Sequence, residues 1–168
     1  RIKQVQGCFY TIQQLIAIES NVASCCDDDD NNVREYVMCP NTLNIIGKLD
    51  NNNKLISGQP AIPLRSNLYL KCGDSGDRNN NCIIRGGDIQ MDGTNYFGVD
   101  DSDEVENVII EGFTFEQTTK YSVWITKKGN ITFIDCEWKD ITNAYVPILF
   151  DYFDAIHRNT YLDINFIY

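Results

Sequence analysis

Between Asn81 and Phe150 the chain says nearly the same thing three times. Asn81-Cys-Ile-Ile-Arg-Gly86 leads into Asp88-Ile-Gln-Met91 and Tyr96-Phe-Gly-Val99. Asn107-Val-Ile-Ile-Glu-Gly112 leads into Phe113-Thr-Phe-Glu116 and Ser122-Val-Trp-Ile125. Asn130-Ile-Thr-Phe-Ile-Asp135 leads into Cys136-Glu-Trp-Lys139 and Pro147-Ile-Leu-Phe150. The first two passes are offset by 26 residues (107 − 81) and the third by 23 (130 − 107). A repeat of that length holding short strands is the mark of a solenoid, in which each unit buries its apolar face against the next. No Asn-Gly or Asp-Gly pair joins two matched strands at hairpin spacing. The pattern therefore predicts an all-β chain, a right-handed parallel β-helix with three short strands per coil over residues 36–150.

Within each coil, alternate residues point to one side of a strand. Ile89 and Met91, Phe113 and Phe115, and Val123 and Ile125 are expected to face inward and stack on their counterparts. Asn81, Asn107 and Asn130 recur at the same place and read as an asparagine ladder. Asn130-Ile-Thr132 is also the one glycosylation sequon, so Asn130 has two readings.

Residues 1–35 read as a cap. Ile12, Leu15, Ile16 and Glu19 fall at helical spacing within 9–23, with Thr11 as N-cap. Such an α-helix would seal the exposed end of the first coil. Early strands follow at Tyr36–Cys39, Thr42–Gly47, Lys54–Ser57 and Ala61–Leu64, then Asn67-Leu-Tyr-Leu-Lys-Cys72 with clear alternation. The last of these opens the coil of Ile83-Ile84 or closes the coil before it, and the Asn-x-Ile-Ile-x-Gly match favours the second placement. Residues 151–168 are a tail or a partial further coil. Tyr161–Tyr168 could add a strand, and with no polar cap after it this end belongs to a longer chain or docks on a partner.

The chain has 24 acidic and 14 basic residues, a formal net charge of −10. Phosphates would be repelled over most of such a surface, which argues against nucleic acid. No apolar run approaches the roughly 18 residues of a membrane span. The first residue is Arg1, which reads as a mature or trimmed chain. Seven cysteines in 168 residues is a high count, and no Cys-x-x-Cys or other zinc spacing occurs. Disulfides in an oxidising compartment account for them better, so the expected location is secreted. Cys72 and Cys82 would close a ring around the polar loop Gly73–Asn81. Cys8, Cys25, Cys26 and Cys39 could form two further bridges in a pairing the sequence leaves open, and Cys136 remains as a small apolar residue inside the coil. Asp27–Asp30 is a run of like charges, read as a solvated loop, although its oxygens also suit calcium.

Asn107-Val-Ile-Ile-Glu-Gly-Phe-Thr-Phe115, preceded by Ile83-Ile-Arg-Gly-Gly87, resembles the pectin-lyase-like right-handed β-helix superfamily, over about residues 37–150. Arg65-Ser-Asn-Leu-Tyr-Leu-Lys-Cys-Gly73 and Cys82-Ile-Ile-Arg-Gly-Gly87 resemble, more narrowly, uncharacterised secreted β-helix proteins of microalgae such as diatoms. The resemblance specifies architecture more than activity, because the fold hosts lyases, hydrolases, adhesins and non-catalytic proteins. The hydrolases it implies use Asn-Thr-Asp, Asp-Asp, Gly-His-Gly and Arg-Ile-Lys sets. Here Asp100-Asp101 is the one paired aspartate in the coils, Arg1-Ile-Lys3 lies ahead of them, no Gly-His-Gly occurs, and the single histidine, His157, lies in the tail. The lyases it implies use calcium-binding carboxylates and a basic residue. Asp100, Asp101, Asp103 and Glu104 form a dense acidic turn, with Lys120, Lys127 and Lys128 one coil further on. Calcium there would acidify a uronate C–H for removal by a lysine. Against this, the four acids share one turn, which is how a solvated turn also looks.

Two functions follow. The first is a non-catalytic secreted protein of structural or recognition role, needing no cofactor, which binds glycan or protein through its strand faces or self-associates through its ends. The alternative is a calcium-dependent uronate lyase.

Overall fold

The polar alternation of Leu68-Tyr-Leu-Lys-Cys72 becomes a strand whose Leu68, Leu70 and Cys72 are buried and whose Tyr69 and Lys71 are half-exposed. A strand with one wet face needs neighbours on both edges, and the rest of the chain supplies them. The computed structural model describes residues 2–15, 17–18, 33–46, 48–49, 55–57, 62–64, 66–86, 97–99, 104–117, 123–125, 128–140, 148–150 and 162–167. Side chains are described over 7–15, 17–18, 33–45, 66–85, 106–117 and 130–140.

In chain order the strands are β1 (Ile2–Phe9), β2 (Val33–Met38), β3 (Leu43–Ile46), β4 (Lys48–Leu49), β5 (Leu55–Ser57) and β6 (Ile62–Leu64). They continue as β7 (Leu68–Cys72), β8 (Cys82–Gly86), β9 (Phe97–Val99), β10 (Glu104–Glu111), β11 (Phe113–Glu116) and β12 (Val123–Ile125). The last are β13 (Lys128–Ile134), β14 (Glu137–Lys139), β15 (Ile148–Phe150) and β16 (Leu162–Ile167). The described residues are thus mostly β-strand, with a short helix at 12–15 and 17–18 and a 3-10 turn at Arg78–Asn80.

Among the described residues, three sheets are parallel throughout. The first has the order β1-β2-β7-β10-β13-β16, the second β14-β11-β8-β3 and the third β15-β12-β9-β6. Parallel neighbours require a crossover, and from β2 onward each crossover in the first sheet runs through one strand of the second sheet and one of the third. Four passes follow: β2, β3, β6; β7, β8, β9; β10, β11, β12; and β13, β14, β15. The antiparallel pair β4–β5 interrupts the first pass, so Lys54–Ser57 belongs to a hairpin and not to the stacked sheets.

The interior is a set of columns running from pass to pass. Tyr36, Leu70, Ile110 and Phe133 stand in register in the first sheet. In the second, Cys82 stands opposite Phe113, and Phe115 lies between Ile84 and Trp138. Phe115 and Trp138 stack with centroids 5.1 Å apart. Burying a side chain of this size stabilises by about 1.5–3 kcal/mol. Phe113 and Phe115 are fully buried and Cys136 nearly so, as the alternation predicted. Ile89, Met91 and the side chains of Val123 and Ile125 lie outside the described residues.

The helix starts where the sequence placed its cap. Thr11 Oγ1 accepts the Gln14 N–H at 3.4 Å, and Gln14 Oε1 accepts the Thr11 N–H at 3.2 Å. This reciprocal pair is a capping box. Ile12 and Leu15 are fully buried in the common core, and Asn44 Oδ1 accepts the Ile12 N–H at 2.8 Å.

The strand that Tyr161–Tyr168 could add forms as β16, which pairs with β13 and carries the first sheet beyond residue 150. Two expectations change. The first sheet begins ahead of residue 36, because β1 pairs with β2 and β2 starts at Val33. In addition, β7 precedes β8 within one pass, against the favoured placement. Ile109 and Ile110 pair with Tyr69 and Leu70, while Ile83 and Ile84 pair with Thr114 and Phe115. The 26-residue match had aligned a strand of the second sheet with one of the first.

Candidate functional site

The bends between the first and second sheets share one backbone geometry. Leu43, Ile83, Thr114 and Glu137 are in register. Two residues before each stand Asn41, Asn81, Gly112 and Asp135, with φ of 59°, 59°, 78° and 46°. Left-handed backbone is open to glycine and tolerated by Asn and Asp, whose short polar side chains bond locally. The turns at the other end of the second sheet repeat the device at Gln117 and Asp140, with φ of 54° and 52°.

This column corrects the asparagine ladder. Asn81 belongs to the corner with Asn41, and Asn107 stands instead beside Asn67. Asn107 Nδ2 donates to Asn67 Oδ1 at 3.1 Å, and the Asn107 N–H donates to Asn130 Oδ1 at 2.6 Å. Asn107 occupies a bulge, since β10 has one more residue than β13 between paired positions there. The sequon side chain of Asn130 is therefore engaged by the preceding pass.

On the outer face of the first sheet, Glu35, Tyr69, Lys71 and Glu111 form a cluster across three passes. Lys71 Nζ lies 2.7 Å from Glu35 Oε1 and 5.7 Å from the Tyr69 ring centroid. The Tyr69 hydroxyl donates to Glu111 Oε2. Burial, that hydrogen bond, and the charges of Glu111 and Glu35 together hold the Tyr69 phenol well above its usual range. Tyr69 is thus a fixed donor and not a base at neutral pH.

On the outer face of the second sheet, Arg85, Glu116 and Lys139 stand in one column. Arg85 grips Glu116 Oε1 through Nε, at 2.6 Å, and Nη2, while Lys139 Nζ lies 3.7 Å from Oε2. Glu116 is only 4% exposed, so its charge depends on these partners. Both clusters escaped sequence reading. The alternation of Asn67–Cys72 places Tyr69 and Lys71 outward, but which acids they meet depends on a register that only the sheets reveal.

No family model, curated protein or solved structure matches this chain. The site must be read from its own residues.

Among the described residues two disulfides are formed, Cys8–Cys39 and Cys72–Cys82. The second closes the Gly73–Asn81 loop as the sequence suggested, and the first is one of the pairings left open. Cys136 is a buried free thiol whose pKa burial pushes up to about 11, against opposing backbone interactions from Phe113 and Gly112. It is protonated and shielded at neutral pH, which does not suit a nucleophile. Cys25, Cys26, Asp27–Asp30, Asp100, Asp101, Asp103, Lys120, Lys127 and His157 lie outside the described residues. Glu104 and Lys128 are paired in backbone register, their side chains not among those described. Among the described residues, no group of three or more His, Cys, Asp or Glu side chains could hold a metal ion, and no helix is long and apolar enough to cross a membrane.

Proposed function

We propose that this chain is a right-handed parallel β-helix acting outside the cell as a non-catalytic structural or recognition protein. It binds glycan or protein through its strand faces, or self-associates through its ends. The fixed order in which the chain visits three parallel sheets supports the architecture, as does its resemblance to the pectin-lyase-like superfamily. The two disulfides support an oxidising compartment.

The observation that carries the functional reading is the pairing on the outer faces. Lys71 is held by Glu35, Tyr69 donates to Glu111, and Glu116 is clamped between Arg85 and Lys139. Groups locked in this way make an ordered, flat surface, whereas general acid–base work needs a group whose proton moves near neutral pH. The test is a glycan-array screen of the purified protein, together with assays on uronate polymers with and without added calcium. Binding without turnover is expected. Robust turnover of an acidic polysaccharide overturns the reading, and its loss in Asp100→Asn and Asp101→Asn would assign it to a calcium-dependent lyase.

A further inference from the structure

The loop between β7 and β8 reaches well beyond its own pass. Its base is closed by Cys72–Cys82. Internally it is ordered by Asn80 Nδ2, which donates to the Cys72 carbonyl at 2.9 Å and to Ser75 Oγ at 2.8 Å. Asp77 Oδ1 caps the 3-10 turn by accepting the Asn79 N–H at 2.7 Å. Backward, the Asn80 carbonyl accepts the Asn41 N–H of the first pass at 2.7 Å. Forward, Gly76 lies against the backbone of Gly112 and the side chain of Glu111 in the third pass. Further still, the Arg78 N–H donates to Asp135 Oδ2 in the fourth pass at 2.9 Å, and Arg78 Nη2 lies 3.5 Å from Asp135 Oδ1.

In a stack of strands each layer normally touches only its two neighbours, so layers can open one at a time from an end. A segment that bonds to the layer before it, packs on the layer after it and bonds to the one beyond breaks that rule. The left-handed backbone of Asp135 sets its carboxylate on the corner, along the line the loop follows. Because the disulfide and the Asp77 cap already order the loop, little further entropy is lost when Arg78 meets Asp135.

We propose that Gly73–Asn81 is a strap that couples the first four passes into one cooperative opening unit, with Asp135 as its far anchor. The inference goes beyond the recognition role proposed above and stands whatever ligand is bound. Its test is native-state hydrogen exchange on the full chain at rising denaturant. In the wild type, amides of β7, β8, β13 and β14 are expected to open with one common denaturant dependence. Arg78→Pro removes both the N–H and the guanidinium, yet suits the first position of a 3-10 turn that follows an extended Asp77. In that variant the β13 and β14 amides should exchange about threefold to fivefold faster, the scale of one lost solvent-exposed contact to a charged group, while those of β7 and β8 hold their rates. Asp135→Asn, which keeps an acceptor and loses the charge, should fall between. The proposal is overturned if β13 and β14 are unchanged in Arg78→Pro. It is equally overturned if β7 and β8, next to the substitution, accelerate as much as they do, or if the wild-type passes already open separately.

Discussion

Gly112 packs so closely on the backbone of Gly76 that neither position has room for a β-carbon, and both are left-handed, with φ of 78° and 69°. At Gly112 the obstacle is the Gly76 carbonyl, a backbone atom that cannot swing aside; at Gly76 it is the Glu111 side chain, which can give way by loosening its hydrogen bond with Tyr69. Gly112→Ala should therefore destabilise by about 2–4 kcal/mol, from the dihedral penalty plus overpacking. Gly76→Ala should destabilise by less. Urea midpoints of the two variants check the order, and equal losses would contradict it.

Arg85 and Lys139 flank the same carboxylate unequally. Arg85 meets Glu116 with two nitrogens and is about a third exposed, whereas Lys139 lies 3.7 Å off and is 43% exposed. Arg85→Met should cost about 1–3 kcal/mol by leaving a buried carboxylate with one distant partner. Lys139→Met should cost under about 0.5 kcal/mol. A double-mutant cycle with Glu116→Gln isolates the Arg85 coupling from packing changes.

These two clusters also mark where sequence reading ends. The inward face was legible because alternation alone fixes it, as at Phe113 and Phe115, and the Thr11 cap followed from residue type. Partners across passes were not legible, because the repeated Asn-x-Ile-Ile-x-Gly phrase serves two different places. Asn81 and Asn107 both adopt left-handed backbone before an apolar pair, with φ of 59° and 56°. Asn81 stands at the corner that leads into the second sheet, and Asn107 at a bulge inside β10 of the first. The Gly73–Asn81 insertion changes the spacing between corners without changing the phrase, so the match slid by one sheet. The strand Ile2–Phe9 escaped notice because Lys3, Gln4, Gln6 and Gly7 give it little strand propensity, and its pairing with β2 overrides that.

Alkaline pH should weaken the fold before acid chemistry would suggest. Burial raises the Cys136 thiol from 9.0 to about 11, and Tyr69 is raised above its ordinary 10.0. Both groups hold their protons more tightly folded than unfolded, so the associated stability is complete below about pH 9 and is lost as pH climbs toward about 11. Urea midpoints measured from pH 7 to 11 should be level to about pH 9 and then fall. Cys136→Ala should flatten part of the decline. Native protein at pH 8 should also leave Cys136 unlabelled by N-ethylmaleimide, as read by peptide mapping.

The disulfides enclose different lengths of chain, with separations of 31 residues for Cys8–Cys39 and 10 for Cys72–Cys82. Loop entropy gives about 4 and 3 kcal/mol respectively for their loss. Thermal melts of Cys8→Ala/Cys39→Ala and Cys72→Ala/Cys82→Ala should both shift down, the first somewhat further. A larger shift for the shorter ring would mean that it does more than shorten the unfolded chain.

The recurrence of one bend at Asn41, Asn81, Gly112 and Asp135 gives every pass the same corner between its first two stacked strands. A segment cut at one bend and rejoined at another meets the same backbone direction, so whole passes can be duplicated or deleted as modules while the joint stays the same. What fixes the length of such a protein is then copy number, and a point change at a bend matters more than one along a strand's outer edge.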